Sequence, residues 1–317
     1  MRNKIRDLKS IAMKSAKLNF SIGLPVYVAA ILFSLTLVLF SCQKNVQSAP
    51  ATVSDEEAST VAQENVAADA AYEDLSEIGF SADADLQIAA GSELGGTANG
   101  AGIGAGLQVY ENLSYKIGPC TTITVTPNDT TYPKTVVLNY GDGCVCKDGK
   151  FRKGMITLFY TKPLRTPGAV LTITLTNFYV NRAHIEGTKV IMNTSEGGVH
   201  QFSVVVTDGK VTWPNGRGFK FEKTKTVTQI AGMDTKTVRD DVYSIVGRSK
   251  TSYNNGTTVV LDTETPLIKA VACDWIESGV LKIKINDRVL YLDFGNGDCD
   301  NKATLKWNDH VIDITLP

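Results

Sequence analysis

Hydrophobic and polar residues alternate in short runs from about residue 107 to the end of the chain. The alternation is clearest over residues 171–176 and 280–285, where nearly every second side chain is apolar. Successive side chains of a β-strand point to opposite faces, so this period predicts strands with one buried face and one wet face. The pattern predicts an all-β domain over residues 107–317, an antiparallel meander that forms a sandwich or a strongly curved sheet.

Turn signals separate these runs roughly every 8 to 12 residues, as expected for a meander of short strands. Most of them pair Asn or Asp with Gly, because the tight turns of hairpins need positive φ angles. The pairs are Asp148-Gly149, Asp208-Gly209, Asn215-Gly216 and Asn255-Gly256, with Asn181-Arg182, Asn286-Asp287 and Asn308-Asp309 as further candidates. Each pair predicts a hairpin connection between two strands.

The first 41 residues have the pattern of an export signal. Residues 1–42 contain six Lys and Arg residues and one acidic residue, and an apolar stretch covers residues 24–40. A basic region followed by an apolar one is typical of secreted proteins. Residues 39–42, Leu-Phe-Ser-Cys, resemble the bacterial lipobox, which implies lipidation of Cys42 and removal of residues 1–41. An uncleaved anchor is the alternative, because the apolar stretch is close to the length that spans a bilayer.

The residues after Cys42 bear on location and partners. Gln43 stands where aspartate would retain a lipoprotein at the inner membrane, so the sequence favours the outer membrane, with a periplasmic or a surface-exposed orientation. Removal of the leader changes the net charge from −1 to −6, and a mildly acidic surface argues against nucleic-acid binding. The expected partners are the membrane, through the lipid on Cys42, and a glycan or an envelope protein.

Residues 42–106 differ in composition from the rest of the chain. Eleven acidic residues and no Lys or Arg lie between Ala51 and Glu93, and large apolar residues are sparse. A chain of this kind buries too little apolar surface to offset its ordering entropy, which predicts a disordered tether. One helix is expected over residues 54–76, because Ser54 and Glu57 fit a capping box. Whether this helix docks on the domain is left open.

The cysteines fit an exported domain. Besides Cys42 there are Cys120, Cys144, Cys146, Cys273 and Cys299. Two similar hairpin-like units each open on one cysteine and close on another about 25 residues later, as in an internal repeat. Oxidising compartments favour disulfides, so we expect Cys120 to pair with Cys144 or Cys146, and Cys273 to pair with Cys299. A redox or zinc site at Cys144 and Cys146 is the alternative, but it lacks the usual spacing.

The chain resembles a group of uncharacterised Bacteroidota lipoproteins. The resemblance lies in the Tyr-Gly-Asp-Gly-Cys segment that ends at Cys144 and in residues 148–156, 177–181, 185–188 and 240–247. It covers roughly residues 120–316. It implies an all-β domain on an outer-membrane or surface lipoprotein, and it implies no catalytic residues.

Candidate chemistry is sparse. The three histidines have no metal-binding spacing, and glycine motifs for nucleotides or a hydrolase nucleophile are missing. A calcium site is the best metal hypothesis, since hard oxygen ligands on a flexible turn suit Ca²⁺. Its ligands would be Asp293, Asn296, Asp298 and Asp300. No other cofactor is expected.

Trp213 is the aromatic residue that best suits a ligand contact, because it stands at a predicted turn beside Arg217 and Lys220. The basic residues Arg217, Lys220, Lys223 and Lys225 are interpreted as one wet strand face or as protection of a strand edge against sheet addition. Thr130, within Asp129-Thr130-Thr131, resembles the acceptor of Bacteroidota O-glycosylation.

These observations predict a membrane-anchored envelope lipoprotein that is not an enzyme and acts as a binding or structural module. The alternatives are a carbohydrate-active enzyme, which needs only two carboxylates that meet in space, and a lipid or lipoprotein carrier with an open β half-barrel.

Overall fold

The computed structural model describes residues 54–91, 112–235 and 239–316. They form one long helix, α1 (Asp55–Gly91), a short 3-10 helix (Leu113–Tyr115) and fourteen strands. The strands are β1 (Thr122–Thr126), β2 (Lys134–Asn139), β3 (Cys144–Val145), β4 (Phe151–Tyr160), β5 (Val170–Val180), β6 (Ala183–Asn193), β7 (Gln201–Thr212), β8 (Gly218–Ala231), β9 (Val242–Tyr253), β10 (Thr258–Ala270), β11 (Ser278–Ile285), β12 (Arg288–Asn296), β13 (Lys302–Trp307) and β14 (His310–Thr315).

All fourteen strands belong to one antiparallel sheet. Its order is β1-β2-β4 and then every strand in sequence to β14, while β3 pairs with β4 off this path. Within the described residues β1 and β14 stand at opposite ends of the order, so the sheet is not closed. The predicted all-β antiparallel meander is confirmed.

Most predicted turns connect consecutive strands as hairpins. Asn181, Asn286 and Asn308 all have positive φ angles in such turns, as tight hairpin connections require. The prediction is wrong at Asp208-Gly209, because β7 continues through this pair. Asp208 has a φ of 52°, and the register with β8 shifts between Val206 and Gly209, so the pair forms a bulge inside a long strand.

Gly209 has a packing role in this bulge. A Cβ atom at Gly209 would lie 2.4 Å from the carbonyl oxygen of Phe221 and 2.9 Å from the hydroxyl of Tyr72. Glycine therefore lets β7 approach both β8 and the helix.

The sheet curves around α1. Tyr160 of β4 donates a hydrogen bond to the carbonyl of Gly79 at 2.8 Å, and Tyr253 of β9 bonds Glu64 at 2.9 Å. Near the other end of the sheet, Trp307 of β13 lies 3.3 Å from Asp55. Strands from β4 to β13 thus contact one helix, and the main core lies between the helix and the inner face of the sheet.

The helix is part of the fold, which corrects the predicted tether. Ser54 caps it as expected, with its hydroxyl 3.2 Å from the backbone nitrogen of Glu57, but the helix ends at Gly91 and not at residue 76. From residue 71 to residue 87 no side chain of α1 is exposed. The remaining parts of the predicted tether, residues 42–53 and 92–106, lie outside the described residues.

Two disulfides connect the loops at the ends of the sheet. Cys120 is bonded to Cys144, and Cys273 is bonded to Cys299. Both predicted pairings are confirmed, the first in its Cys144 form. Cys146 is a buried free thiol, and burial raises its pKa, so Cys144 and Cys146 do not form the alternative redox or metal site.

Candidate binding pocket

The helix and the inner face of the sheet carry opposite charges. Residues 54–91 contain ten carboxylates and no basic residue, and buried Lys and Arg side chains of the sheet face them. Asp74 is at the centre, with Arg152 at 2.7 Å, Lys116 at 3.1 Å and Lys150 at 3.2 Å. Burial alone would raise the pKa of Asp74, but these three cations hold it well below its usual range. Asp74 is therefore a buried, fully ionised group.

A second group of ion pairs involves Asp69 and Glu73 of the same helix. Lys223 Nζ is 2.6 Å from Asp69 and 2.9 Å from Glu73, and Lys225 also pairs with Glu73. Lys189 donates a hydrogen bond to the carbonyl of Tyr72. Burial, reinforced by repulsion from Lys225 and Lys223, lowers the pKa of Lys189 to about 7.

Cations outnumber carboxylates in the combined cluster. The bases are Lys116, Lys150, Arg152, Lys189, Lys223, Lys225 and Lys269, and the acids are Asp69, Glu73, Asp74, Glu77 and Asp148. Seven bases thus stand against five carboxylates. An excess of buried positive charge is unfavourable unless a further negative group or neutralisation offsets it. Burial is the main cause of the lowered pKa of Lys189, and a pKa of about 7 leaves this base partly neutral near pH 7, which reduces the excess.

A cavity lies beside this cluster, between α1 and strands β8 to β12. The centre of a water molecule can reach about 110 Å³ of it. Most of its walls are apolar, from Val66, Phe80, Val227, Ile245, Leu267, Val271, Trp275, Ile276, Leu281, Phe294 and Leu316. Its polar lining is mixed in charge, with the basic residues Lys150, Lys225 and Lys269, the acidic residues Asp69, Glu73, Asp74, Glu77 and Asp274, and Ser76, Ser81 and Tyr243. A concave site that combines apolar walls with polar groups is typical of small-molecule pockets.

Ser76 and Lys225, which line the cavity, keep unused hydrogen-bonding capacity. The Ser76 hydroxyl is buried and has no partner among the described residues, which is uncommon for a buried polar atom. Lys225 has three N–H donors and is paired with Glu73, which it shares with Lys223. Lys269 is more fully engaged, since it bonds Glu77 at 2.9 Å and the carbonyl of Cys273.

The structure separates the residues predicted around Trp213. Arg217 belongs to the helix contact, with Nε 2.8 Å from Glu64 and Nη2 3.0 Å from Glu57. Lys220 is exposed, and Trp213 is half-buried against the core, with its indole nitrogen buried and unpartnered in the described structure. An open platform of these three side chains is therefore not formed.

Lys223 and Lys225 correct the interpretation of β8 as a strand with a wet basic face. Both are buried on the inner face, while Glu222 and Thr224 are exposed. Their phase along the strand is that of the buried Phe221. Lys189 of β6 is recognisable in the same way, because it lies two residues before the buried Ile191 and therefore points to the same face of the sheet. Strand period could thus have indicated these inward-facing lysines, whereas nothing in the sequence marks Ser76.

The residues of the predicted calcium site act as turn and strand-end residues. Asp293 accepts hydrogen bonds from Lys306 at 3.0 Å and from the backbone of Gly295 at 3.1 Å, and Asp300 accepts one from the backbone of Lys302. Among the described residues, the carboxylates of Asp293, Asp298 and Asp300 do not converge to metal-ligand distances, and Asn296 is exposed. In the described part of the chain, the one group of possible metal ligands that converges is Cys273, Glu277 and Cys299, whose cysteines form a disulfide.

The remaining predicted positions concern the surface and the leader. Thr130 is exposed in the loop between β1 and β2, where Asp129 accepts a hydrogen bond from the backbone of Thr131 at 2.8 Å. Cys42 and residues 1–41 lie outside the described residues. In the described part of the chain, no helix has the length and hydrophobicity to cross a membrane.

Comparison with protein-family models, with curated proteins and with solved structures gives no match for this chain.

Proposed function

We propose that this chain is a non-enzymatic binding protein of the bacterial cell envelope, anchored to the outer membrane through a lipid on Cys42. The export pattern of residues 1–41 and the resemblance to Bacteroidota lipoproteins support this location. The two disulfides also support it, because disulfides persist in oxidising compartments. The acidic mature chain would meet small molecules, glycans or envelope proteins rather than nucleic acid.

The binding site in this proposal is the cavity between α1 and strands β8 to β12. The observation that carries it is a partly open cavity with a continuous set of apolar walls, beside which the buried hydroxyl of Ser76 has no partner among the described residues. A ligand that fills the cavity would bury the walls further, and each additional CH₂ group contributes about 0.8 kcal/mol. The carrier alternative raised by the sequence agrees with this site in one respect, since the sheet is open, although α1 occupies its inner face.

The test is binding of benzene, an uncharged apolar probe of a size suited to a cavity of about 110 Å³, to the purified protein and to two neighbouring variants, measured by isothermal titration calorimetry. Ile245 lines the cavity, whereas Val246 is 48% exposed on the outer face of the same strand. Ile245→Phe should fill the pocket and weaken binding about 5- to 150-fold, because a closely packed interior gives way only at a cost of about 1–3 kcal/mol. Val246→Phe makes a similar change outside the pocket and should leave binding unchanged. Equal binding by both variants would place the probe elsewhere and contradict the proposal.

A further inference from the structure

The connections between the strands lie at two opposite ends of the sheet, because consecutive strands are antiparallel. One end, here called the hairpin end, holds residues 140–150, 181–182, 213–217, 254–257, 286–287 and 308–309. The other, the loop end, holds residues 127–133, 161–169, 194–200, 232–235, 239–241, 271–277 and 297–301. The two ends are therefore distinct surfaces of the fold.

The helix α1 begins at the hairpin end. Asp55 pairs with Arg288, the first residue of β12, and Glu57 lies 3.0 Å from Arg217 in the turn between β7 and β8. These contacts fix the first turn of α1 beside the hairpin connections.

The same helix ends at the loop end. Asp83 accepts a hydrogen bond from the backbone of Leu164 at 2.9 Å, and Gln87 donates one to the hydroxyl of Tyr132 at 2.8 Å. At a rise of 1.5 Å per residue, the helix from Asp55 to Gln87 is about 48 Å long. This length separates the two ends of the sheet along the helix.

The chain before the helix is shorter than this separation. Cys42 and Ser54 are twelve residues apart. Even a fully extended chain of this length spans at most about 43 Å, and a flexible one has a root-mean-square length of about 20 Å. If the loop end faced a bilayer that holds Cys42, Ser54 would stand about 48 Å from that bilayer, which the chain does not reach.

The distribution of charge favours the same orientation. The sequence of the loop-end connections, with residues 236–238 counted, contains nine acidic and four basic residues, whereas the hairpin-end connections contain four of each. A membrane with anionic lipids has a negative surface potential, so it repels the loop end more strongly than the hairpin end.

We propose, on the basis of the lipid anchor in the proposed function, that the hairpin end is the surface that faces the lipid bilayer and that the loop end faces the aqueous phase. Thr130 is then on the side away from the membrane. Val271, Trp275 and Ile276, which line the cavity, belong to the loop end, so this part of the cavity is also turned toward the aqueous phase.

The experiment measures energy transfer from a fluorophore on the lipidated mature protein to acceptor-labelled headgroups in vesicles of phosphatidylethanolamine and phosphatidylglycerol. Asp309→Cys places a thiol-reactive fluorophore at the hairpin end, and Glu196→Cys places it at the loop end. Both positions are exposed and both variants lose one negative charge, so they are matched. Cys146 is buried and protected from the reagent, and the thiol of Cys42 is blocked by its lipid.

Transfer from Asp309→Cys should exceed transfer from Glu196→Cys severalfold, because the two ends are about 48 Å apart along the helix and transfer falls steeply with distance. Equal transfer would mean that the protein lies on its side, and stronger transfer from Glu196→Cys would mean that it is inverted. Either result overturns the orientation while the anchor stands.

A chain that begins at Gln43 and carries no lipid is the control, and it should give no transfer from either position. Transfer equal to that of the lipidated protein would contradict the proposal, since membrane contact would then not depend on the anchor. Mass spectrometry of the mature protein tests the anchor separately. Absence of a lipid on Cys42 would contradict the membrane anchor of the proposed function itself.

Discussion

The buried carboxylate of Asp74 provides a direct test of how the helix is held in the sheet. Arg152 contacts both oxygens of Asp74, at 2.8 Å and 2.7 Å, and neither side chain is more than 1% exposed. Asp74→Asn keeps the shape and removes the charge. The variant leaves Lys116, Lys150 and Arg152 with one negative partner fewer in a buried site.

The expected magnitude follows from the remaining contacts. Removing one partner of a buried ion pair costs about 3–5 kcal/mol. Arg152 retains Asp148, at 2.6 Å, and Lys116 retains Glu77, at 2.6 Å, so the lower end of this range applies. A loss of about 3 kcal/mol lowers the melting temperature of a domain of this size by about 6–12 °C. Urea unfolding at pH 7, followed by circular dichroism, measures the free energy directly.

Asp83→Asn is a matched control with the opposite expected sign. Asp83 lies on the same helix, and burial raises its pKa from 3.8 to about 7. Its folded state retains a proton that the unfolded chain releases, so the side chain lowers stability as pH rises from about 4 to 7. Asparagine can still accept the hydrogen bond from the backbone of Leu164. At pH 8 the variant should therefore be more stable than wild type, by at most about 4 kcal/mol.

The pH profiles of the two variants diverge in a defined way. The folded pKa of Asp74 is depressed, so its contribution is present above the unfolded pKa of about 4 and is lost as pH falls below it. Asp74→Asn should flatten the acid limb of the stability curve, and Asp83→Asn should flatten the limb between pH 4 and 7. Loss of less than about 1 kcal/mol in Asp74→Asn, or the same sign in both variants at pH 8, would refute the assignment of the ion cluster as a fixed, specific contact.

The other predictions concern the cysteines and the helix. After denaturation without reductant, a thiol reagent should detect one free thiol from residue 43 onward, at Cys146. In the native protein it should detect none, because Cys146 is buried. More than one free thiol in the denatured protein would contradict the two disulfides. Cys42→Ser should abolish metabolic palmitate labelling and leave an unprocessed precursor, whereas persistent labelling would rule out Cys42 as the lipidation site. Deletion of residues 55–91 should abolish cooperative unfolding, because it exposes the inner face and its buried lysines; a melt like that of the full chain would show that the helix is dispensable.

Strand period and turn chemistry predict most of the sheet. Asn181, Asn286 and Asn308 are turn residues in both the sequence and the structure, because a two-residue hairpin needs positive φ and few residues accept it. Asp208-Gly209 has the same local signal and yet lies inside β7. The difference is tertiary, since the bulge at Gly209 is stabilised by contact with the helix and with β8, which no local pattern contains.

The helix shows where composition misleads. Residues 54–91 contain ten acidic residues and many alanines, a composition typical of a solvated segment. A helix that packs against a core is expected to carry larger apolar residues along one face. The prediction of a disordered tether was wrong because it assumed that the acidic side chains face water. In the structure several of them pair with basic side chains of the sheet. The signal for a docked acidic helix lies in Lys189, Lys223 and Lys225. Each of them stands at a position of its strand whose neighbours two residues away are buried and apolar, which places a base on the inner face of the sheet.

This arrangement of charges also fixes the helix along the sheet and links it to the pocket. One turn of helix is about 5.4 Å, so a slide of one turn would carry Glu73 and Asp74 away from bases that now lie 2.7–3.2 Å from them. Mismatched buried charges are costly even where matched ones contribute little, so the ion pairs define position more than they add stability. The fixed position places Ser76 in the lining of the cavity, together with Lys225 of the sheet. Filling of the cavity and docking of the helix are therefore expected to reinforce each other, because the helix forms one wall of the cavity.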